Sequence, residues 1–178
     1  MSLNTSLFFK INRLVGKNRW LDAFGRAGAE WVVVAMLGWY VASDFIANLP
    51  GKRAVFWPLA FLAMGWTVGW FVSLLIGLAV REPRPHITHP ESNLLFTPLM
   101  SWKSFPSDHS MSAFVMFFLA AIFQIPAYWA LLPLALWVGW GRVYAGVHYP
   151  IDVLGGLAVA FLSGALCYYL LTQITQIL

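Results

Sequence analysis

Charge is scarce in this chain. Only 10% of its 178 residues are Asp, Glu, Lys or Arg, where a soluble domain carries roughly 25%. With 60% hydrophobic residues and a mean hydropathy of +0.72, this excludes an ordinary water-soluble domain and implies an integral membrane protein. Acidic residues are the rarer sign, seven against eleven basic ones, and they form no cluster of the kind that binds Mg²⁺. Cysteine is nearly absent. Cys167 stands alone in an apolar run, which rules out an internal disulfide and marks it as a packing residue. The basic residues do not alternate with aromatics in a nucleic-acid-binding array; they flank apolar runs instead. The first apolar run is short and followed by more charges, unlike a cleavable signal. What remains is one membrane bundle, a single domain over residues 1–178.

The expected architecture is an all-α helical bundle of about five transmembrane helices plus an N-terminal interfacial amphipathic helix. Residues 4 to about 18 place Leu7, Phe8, Ile11, Leu14 and Val15 at helical spacing with Lys10, Arg13 and Lys17 between them, a pattern suited to the headgroup boundary or to a surface helix on the bundle. A small-residue stretch, Asp22 to Glu30, leads into a first span from about Ala29 to Ala47, closed by the turn signal Asn48-Leu49-Pro50-Gly51. A second span, from about Ala54 to Val80, is long enough to cross roughly 30 Å of hydrocarbon. Pro83 and Pro85 then oppose further helix. The segment from Arg81 to Pro106 is a long polar connection of the sort that carries function. A third span runs from Ser107 to about Phe123, a fourth from about Ala127 to Gly141, and a fifth from about Ile151 to Leu171. Pro150 suits the first position of that last helix, and Gly155, Gly156 and Gly164 give it a face for close packing.

Alternating spans put the connection after the second and the link after the fourth on one membrane face. Arg81, Arg84, Lys103, Ser107, His109, Arg142, His148 and Asp152 gather at that rim. One arginine at a helix end is an ordinary snorkelling anchor; so many polar groups on one face point to a binding site. Guanidinium forks and an ammonium suit a phosphate, and Ser107 can cap a helix whose N-terminus favours an anion. Asp152, four residues after His148, can fix the imidazole tautomer and leave the other nitrogen free to attack. The chemistry suggested is phosphoryl transfer. His86 and His89 have no carboxylate or cysteine to complete a metal set and read as loop histidines.

Phe105-Pro106-Ser107-Asp108-His109, followed by Gly141-Arg142-Val143-Tyr144-Ala145-Gly146-Val147-His148-Tyr149-Pro150-Ile151-Asp152, resembles the type 2 phosphatidic acid phosphatase (PAP2) superfamily. Arg84-Pro85 supplies part of a further motif of that family. The resemblance implies that His148 is the nucleophile, Asp152 its orienting partner and His109 the acid for the leaving group. It implies that Arg84, Arg142 and Ser107 hold the phosphate, and that no metal or other cofactor is needed. Three positions depart from the pattern. The family's lysine falls on Gly77, leaving Arg81 or Lys103 to replace it; Asp108 stands where glycine is usual; Gly141 stands where serine is usual.

The resemblance also implies a membrane lipid phosphate as substrate and the bilayer as surroundings. Small size, five spans and Pro-Ser-Asp-His are most similar to bacterial undecaprenyl-diphosphate phosphatases. Phosphatidylglycerophosphate, phosphatidic acid and lipid A phosphate stay open as substrates. A channel or transporter would place ionisable groups at mid-span, where these spans have almost none; a degenerate member that binds lipid phosphate without turnover stays open. No residue indicates the oligomeric state. The expected location is the cell (inner) membrane, multi-pass. The basic N-terminus would put the rim in the cytoplasm by the positive-inside rule, whereas the resemblance implies the extracytoplasmic face, which is the expectation adopted. A cysteine introduced in the loop near Asn93 should react with an impermeant thiol reagent in intact cells; labelling only after lysis would reverse the orientation.

Overall fold

The computed structural model describes residues 2–48, 56–98 and 101–177. Among them every regular element is helical: α1 (Leu3–Asn12), α2 (Arg19–Arg26), a π-helical turn (Ala27–Trp31), α3 (Val32–Asn48), α4 (Phe56–Val80), the short α5 (Pro85–Thr88), α6 (Asp108–Ile122), α7 (Leu131–Tyr144) and α8 (Pro150–Ile177). Three helical stretches, Arg19–Ala47, Trp57–Thr88 and Pro150–Gln176, are long and apolar enough to cross a membrane, and Asp108–Ile122 is a shorter apolar helix. Residues 49–51 of the expected turn, the loop cations Lys52 and Arg53, the start of the second span at Ala54, and Leu99 and Met100 lie outside the described residues.

Several boundaries differ from expectation for physical reasons. The N-terminal helix stops at Asn12, and the chain turns through Gly16 at φ +81°, a conformation that glycine adopts without strain. Asn18 then caps α2 by accepting from the N–H groups of Trp20 and Leu21. The small-residue stretch after Asp22 leads into the first span as expected, helix running on through the π turn into α3. Its glycines are contact points: a Cβ at Gly25 would run into the Tyr144 ring, and one at Gly28 into Trp137. The α4 helix ends at Val80, as expected, and the next residue, Arg81, takes a left-handed φ of +51°. The fourth span opens with a 3₁₀ turn at Tyr128–Ala130, so that α7 starts at Leu131. Pro150 is the first residue of α8.

The core lies where α4, α6, α7 and α8 meet, around Met111, Val115, Leu119, Leu131 and Val138, all fully buried. The α8 glycines let the chain before α6 press close: a Cβ at Gly156 would lie 2.6 Å from the Ser107 carbonyl oxygen, and Gly155 faces the Phe105 ring. Gly141 has a like role. A Cβ there would stand 2.6 Å from Ala29 N and 2.9 Å from Gly25 O, so a serine would hold α7 off the π turn.

At the rim, α1 clamps the long connection onto the link between α7 and α8. Asn12 is fully buried. Its Nδ2 donates to Asn93 O at 2.7 Å and to Tyr144 O at 3.0 Å, and its Oδ1 accepts from Asn93 N at 2.8 Å. Phe8 meets Tyr149 edge-on at 5.3 Å, and Asn4 Oδ1 accepts from Ile151 N at 3.1 Å. Asn12→Ala leaves buried backbone groups unpaired, each costing about 1–3 kcal/mol. The variant should melt at lower temperature in detergent; an unchanged melting temperature would show that the clamp is dispensable.

Candidate active site

The α6 helix begins at Asp108 because Ser107 caps it: its backbone is extended (φ −75°, ψ 113°), and its Oγ accepts from Ser110 N at 3.4 Å and from Ser110 Oγ at 3.1 Å. The Ser107 N–H donates to Asp152 O at 3.0 Å, which joins the start of α6 to the first turn of α8. This places His109 in the first turn of α6, beside the link that carries His148.

His148 precedes α8 by two residues and Asp152 lies within its first turn. The Asp152 carboxylate is fully buried. Its Oδ2 accepts from Ser104 Oγ at 2.5 Å, from Tyr149 N at 2.8 Å and from His148 Nδ1 at 3.2 Å. With Nδ1 donating, the His148 Nε2 lone pair points the other way, where Arg84 Nη1 donates to it at 3.1 Å; the same Nη1 donates to Val147 O at 2.8 Å. Burial first, then the charges of Arg142 and Arg84, hold the His148 imidazole well below its usual pKa. The ring is therefore neutral near pH 7, the form that can act as a nucleophile.

Arg142 comes from the last turn of α7 and donates from Nη1 to Ala29 O at 3.0 Å, with its guanidinium 5.6 Å from the Phe96 ring centre. Arg84 and Arg142 are 7% and 4% exposed, and the Nε of each is buried without a hydrogen-bond partner. Buried donors of this kind ask for an acceptor, and a guanidinium fork matches a phosphate oxygen pair. Lys103 Nζ pairs with Asp108 Oδ1 at 2.6 Å. Arg84, Lys103, His109, Arg142 and His148 all line one cavity of about 270 Å³, with Asp108 at its wall.

The structure thus gathers five of the eight sequence-chosen residues around one space and places Asp152 directly behind His148. Ser107 lies beneath, its hydroxyl engaged in the α6 cap and not among the cavity-lining groups. Arg81 stands apart. It is exposed, its Nε bonds back to Leu78 O at 3.0 Å, and the left-handed turn that ends α4 directs the chain away before Arg84 returns. Of the two cations offered in place of the family's lysine, only Lys103 reaches the cavity. His86 is partly buried, and His89 contacts Glu91 at 3.3 Å and packs on the Phe9 ring. Among the described residues no three His, Cys, Asp or Glu side chains cluster as metal ligands. Sequence reasoning missed Ser104, although it sits inside the polar stretch before α6, and it missed Asn12, which carries no signal beyond being a polar residue on an otherwise apolar helix face.

Residues 57–176 match the PAP2 superfamily. The chain belongs to that superfamily. It is 30% identical to undecaprenyl-diphosphatase BcrC of Bacillus subtilis (strain 168) over 93% of this chain and 83% of that one. It is likewise 30% identical to putative undecaprenyl-diphosphatase YbjG of Escherichia coli (strain K12), over 91% and 79%. The crystal structure of Aquifex aeolicus LpxE superposes with a TM-score of 0.71 at 25% identity, covering 94% and 95%. This PAP2 protein is a membrane lipid phosphatase, a phosphoric ester hydrolase built on an all-helical bundle.

Replacing Asp152 by asparagine puts an amide where three donors converge and removes the charge that fixes the His148 tautomer. Asp152→Asn should lower kcat by about 10²–10⁴ while KM moves little, read by steady-state phosphate release. Unchanged kcat in the folded variant would remove Asp152 as the orienting group.

Proposed function

We propose that this enzyme hydrolyses a polyprenyl diphosphate, undecaprenyl diphosphate foremost, to the monophosphate through a phosphohistidine on His148. The observation that carries the reading is a buried imidazole backed by a carboxylate, beside two buried guanidinium groups whose Nε donors are unpartnered. Nearly all of that geometry serves to hold a phosphoryl group in front of one nitrogen lone pair.

In the first step the terminal phosphoryl group enters between Arg84 and Arg142, and Arg84 exchanges its bond with His148 Nε2 for bonds to phosphate oxygens. His148 Nε2 attacks the phosphorus as the bond to the bridging oxygen breaks. The entering diphosphate brings the proton that His109 takes up, and His109 passes it to the bridging oxygen as the lipid monophosphate leaves. The Nδ1–H stays on the ring, and the positive charge of the phosphorylated imidazole is offset by Asp152. In the second step a water attacks the phosphorus, His109 takes the water proton, the N–P bond breaks, and inorganic phosphate departs with His148 neutral again. Lys103 adds a third cation at the cavity wall.

An apolar groove supports a lipid substrate. The catalytic cavity shares Val33, Trp66 and Ser112 with a second cavity of about 480 Å³ that continues past Leu37, Val41 and Leu59. The groove lies between α3 and α4 on the bilayer-facing side, where a hydrocarbon chain can lie while its phosphate stays in the polar end. Relatives named as undecaprenyl-diphosphatases cover most of the chain, which favours the diphosphate over the other lipid phosphates. The five-span count, with α6 and α7 as the shorter spans and α1 at the headgroup boundary, and the extracytoplasmic site belong to the same reading.

The leaving group separates the candidate substrates. A diphosphate expels a stable phosphate anion, whereas phosphatidylglycerophosphate expels an alkoxide that depends heavily on a general acid. Assayed side by side with EDTA present, the purified enzyme should release phosphate fastest from undecaprenyl diphosphate. His109→Ala should cost about 10-fold there and about 10³-fold on the monoesters. Strict dependence on Mg²⁺, or preference for a monoester, would overturn the assignment.

A further inference from the structure

Three residues at which this chain departs from its family's pattern, or compensates for a departure, meet at one edge of the catalytic cavity. Gly77 lies in α4, Lys103 in the connection before α6, and Asp108 at the first position of α6. The lysine side chain lies across the glycine. A Cβ at position 77 would stand 2.5 Å from Lys103 Cδ, 2.9 Å from Cγ and 3.0 Å from Cε, so no other residue fits beneath the stem without displacing it. Lys103 is only 6% exposed, and its ammonium meets the Asp108 carboxylate at 2.6 Å. Both line the cavity that holds His109 and His148.

A buried lysine without a counterion is costly, and a helix N-terminus accepts a carboxylate readily. Asp108 meets both conditions in one residue. Its charge also opposes an incoming anion, because Arg84, Arg142 and Lys103 would otherwise present three cations to a single phosphate with no carboxylate on the cavity wall.

We propose that Gly77, Lys103 and Asp108 form one exchangeable unit. Lys103 delivers a phosphate-binding cation across the gap left by Gly77. Asp108 is its counterion and weakens the hold of the site on free phosphate, the product that must leave. This rests on the phosphatase reading of the same site. The lysine has moved from α4 to the connection, and the two neighbouring substitutions are what make that move possible.

The test uses the full chain in detergent with a polyprenyl diphosphate as substrate and inorganic phosphate as inhibitor. Lys103→Ala should raise KM by about tenfold or more. Gly77→Lys alone should also impair the enzyme, because it collides with the Lys103 stem. The double variant Gly77→Lys with Lys103→Ala should recover KM to within about threefold of the unaltered chain. A folded double variant no better than Lys103→Ala would overturn the exchange. Asp108→Asn, which keeps the shape and removes the charge, should lower the inhibition constant for phosphate by about fivefold; an unchanged or higher constant would overturn the role of Asp108. That arm decides the matter where the double variant does not fold. Turnover by the unaltered chain separates the two readings. If it releases phosphate and these variants behave otherwise, only this inference falls. If it releases none, the function proposed above falls, and phosphate binding measured by calorimetry in Asp108→Asn still reads the electrostatic effect.

Discussion

The site is held together by one buried carboxylate. Asp152 Oδ2 gathers donors from Ser104 before α6, from the Tyr149 backbone at the start of α8, and from His148 on the link between α7 and α8. The Asp152 carbonyl adds Ser107 at the head of α6. Two stretches of chain that are distant in sequence, residues 104–107 and 148–152, are thereby fixed to each other through a single residue. Their helices would pack in much the same way without it, since apolar contact among α4, α6 and α8 is what fills the core. The carboxylate converts a packed bundle into one with a defined rim. A buried charge needs donors; here they all gather on Oδ2, Oδ1 being buried without a hydrogen-bond partner, and they tie the polar stretch before α6 to the His148 link.

The substitutions that set this chain apart from its family's pattern read as a set of steric exchanges. Gly141 gives up a hydroxyl and lets α7 close on the π turn, where Arg142 finds the Ala29 carbonyl. Gly77 gives up a cation and lets the Lys103 stem pass. Asp108 adds a charge and receives the amine. In each case the altered side chain is accounted for by a neighbour that it touches.

Much of this was legible in the sequence. The low charge and long apolar runs pointed to the helical membrane class, and span alternation with the motif resemblance brought His148, Asp152, His109, Arg84 and Arg142 to one rim. The failures have physical causes. The glycines between Asp22 and Glu30 show in the sequence only as small residues before the first span; their use as seats for Tyr144 and Trp137 depends on neighbours far away in the chain. Arg81 and Lys103 were equal candidates on paper. One left-handed residue at the end of α4 turns the first away, and the long connection brings the second in. Asn12 gave no local hint, since its partners Asn93 and Tyr144 lie 81 and 132 residues away.

The bond from Arg84 to His148 Nε2 carries one more consequence. An exposed neutral imidazole in a membrane is open to any electrophile that diffuses by, including oxidised lipids and acyl donors. Here the lone pair already faces a guanidinium N–H, and only a ligand that attracts the guanidinium more strongly can uncover it. An oxyanion does so and a neutral electrophile does not. On the proposed mechanism the resting enzyme is in this sense chemically quiet, and the discrimination between a phosphate and an adventitious reagent begins at His148 Nε2, before any contact with the lipid tail.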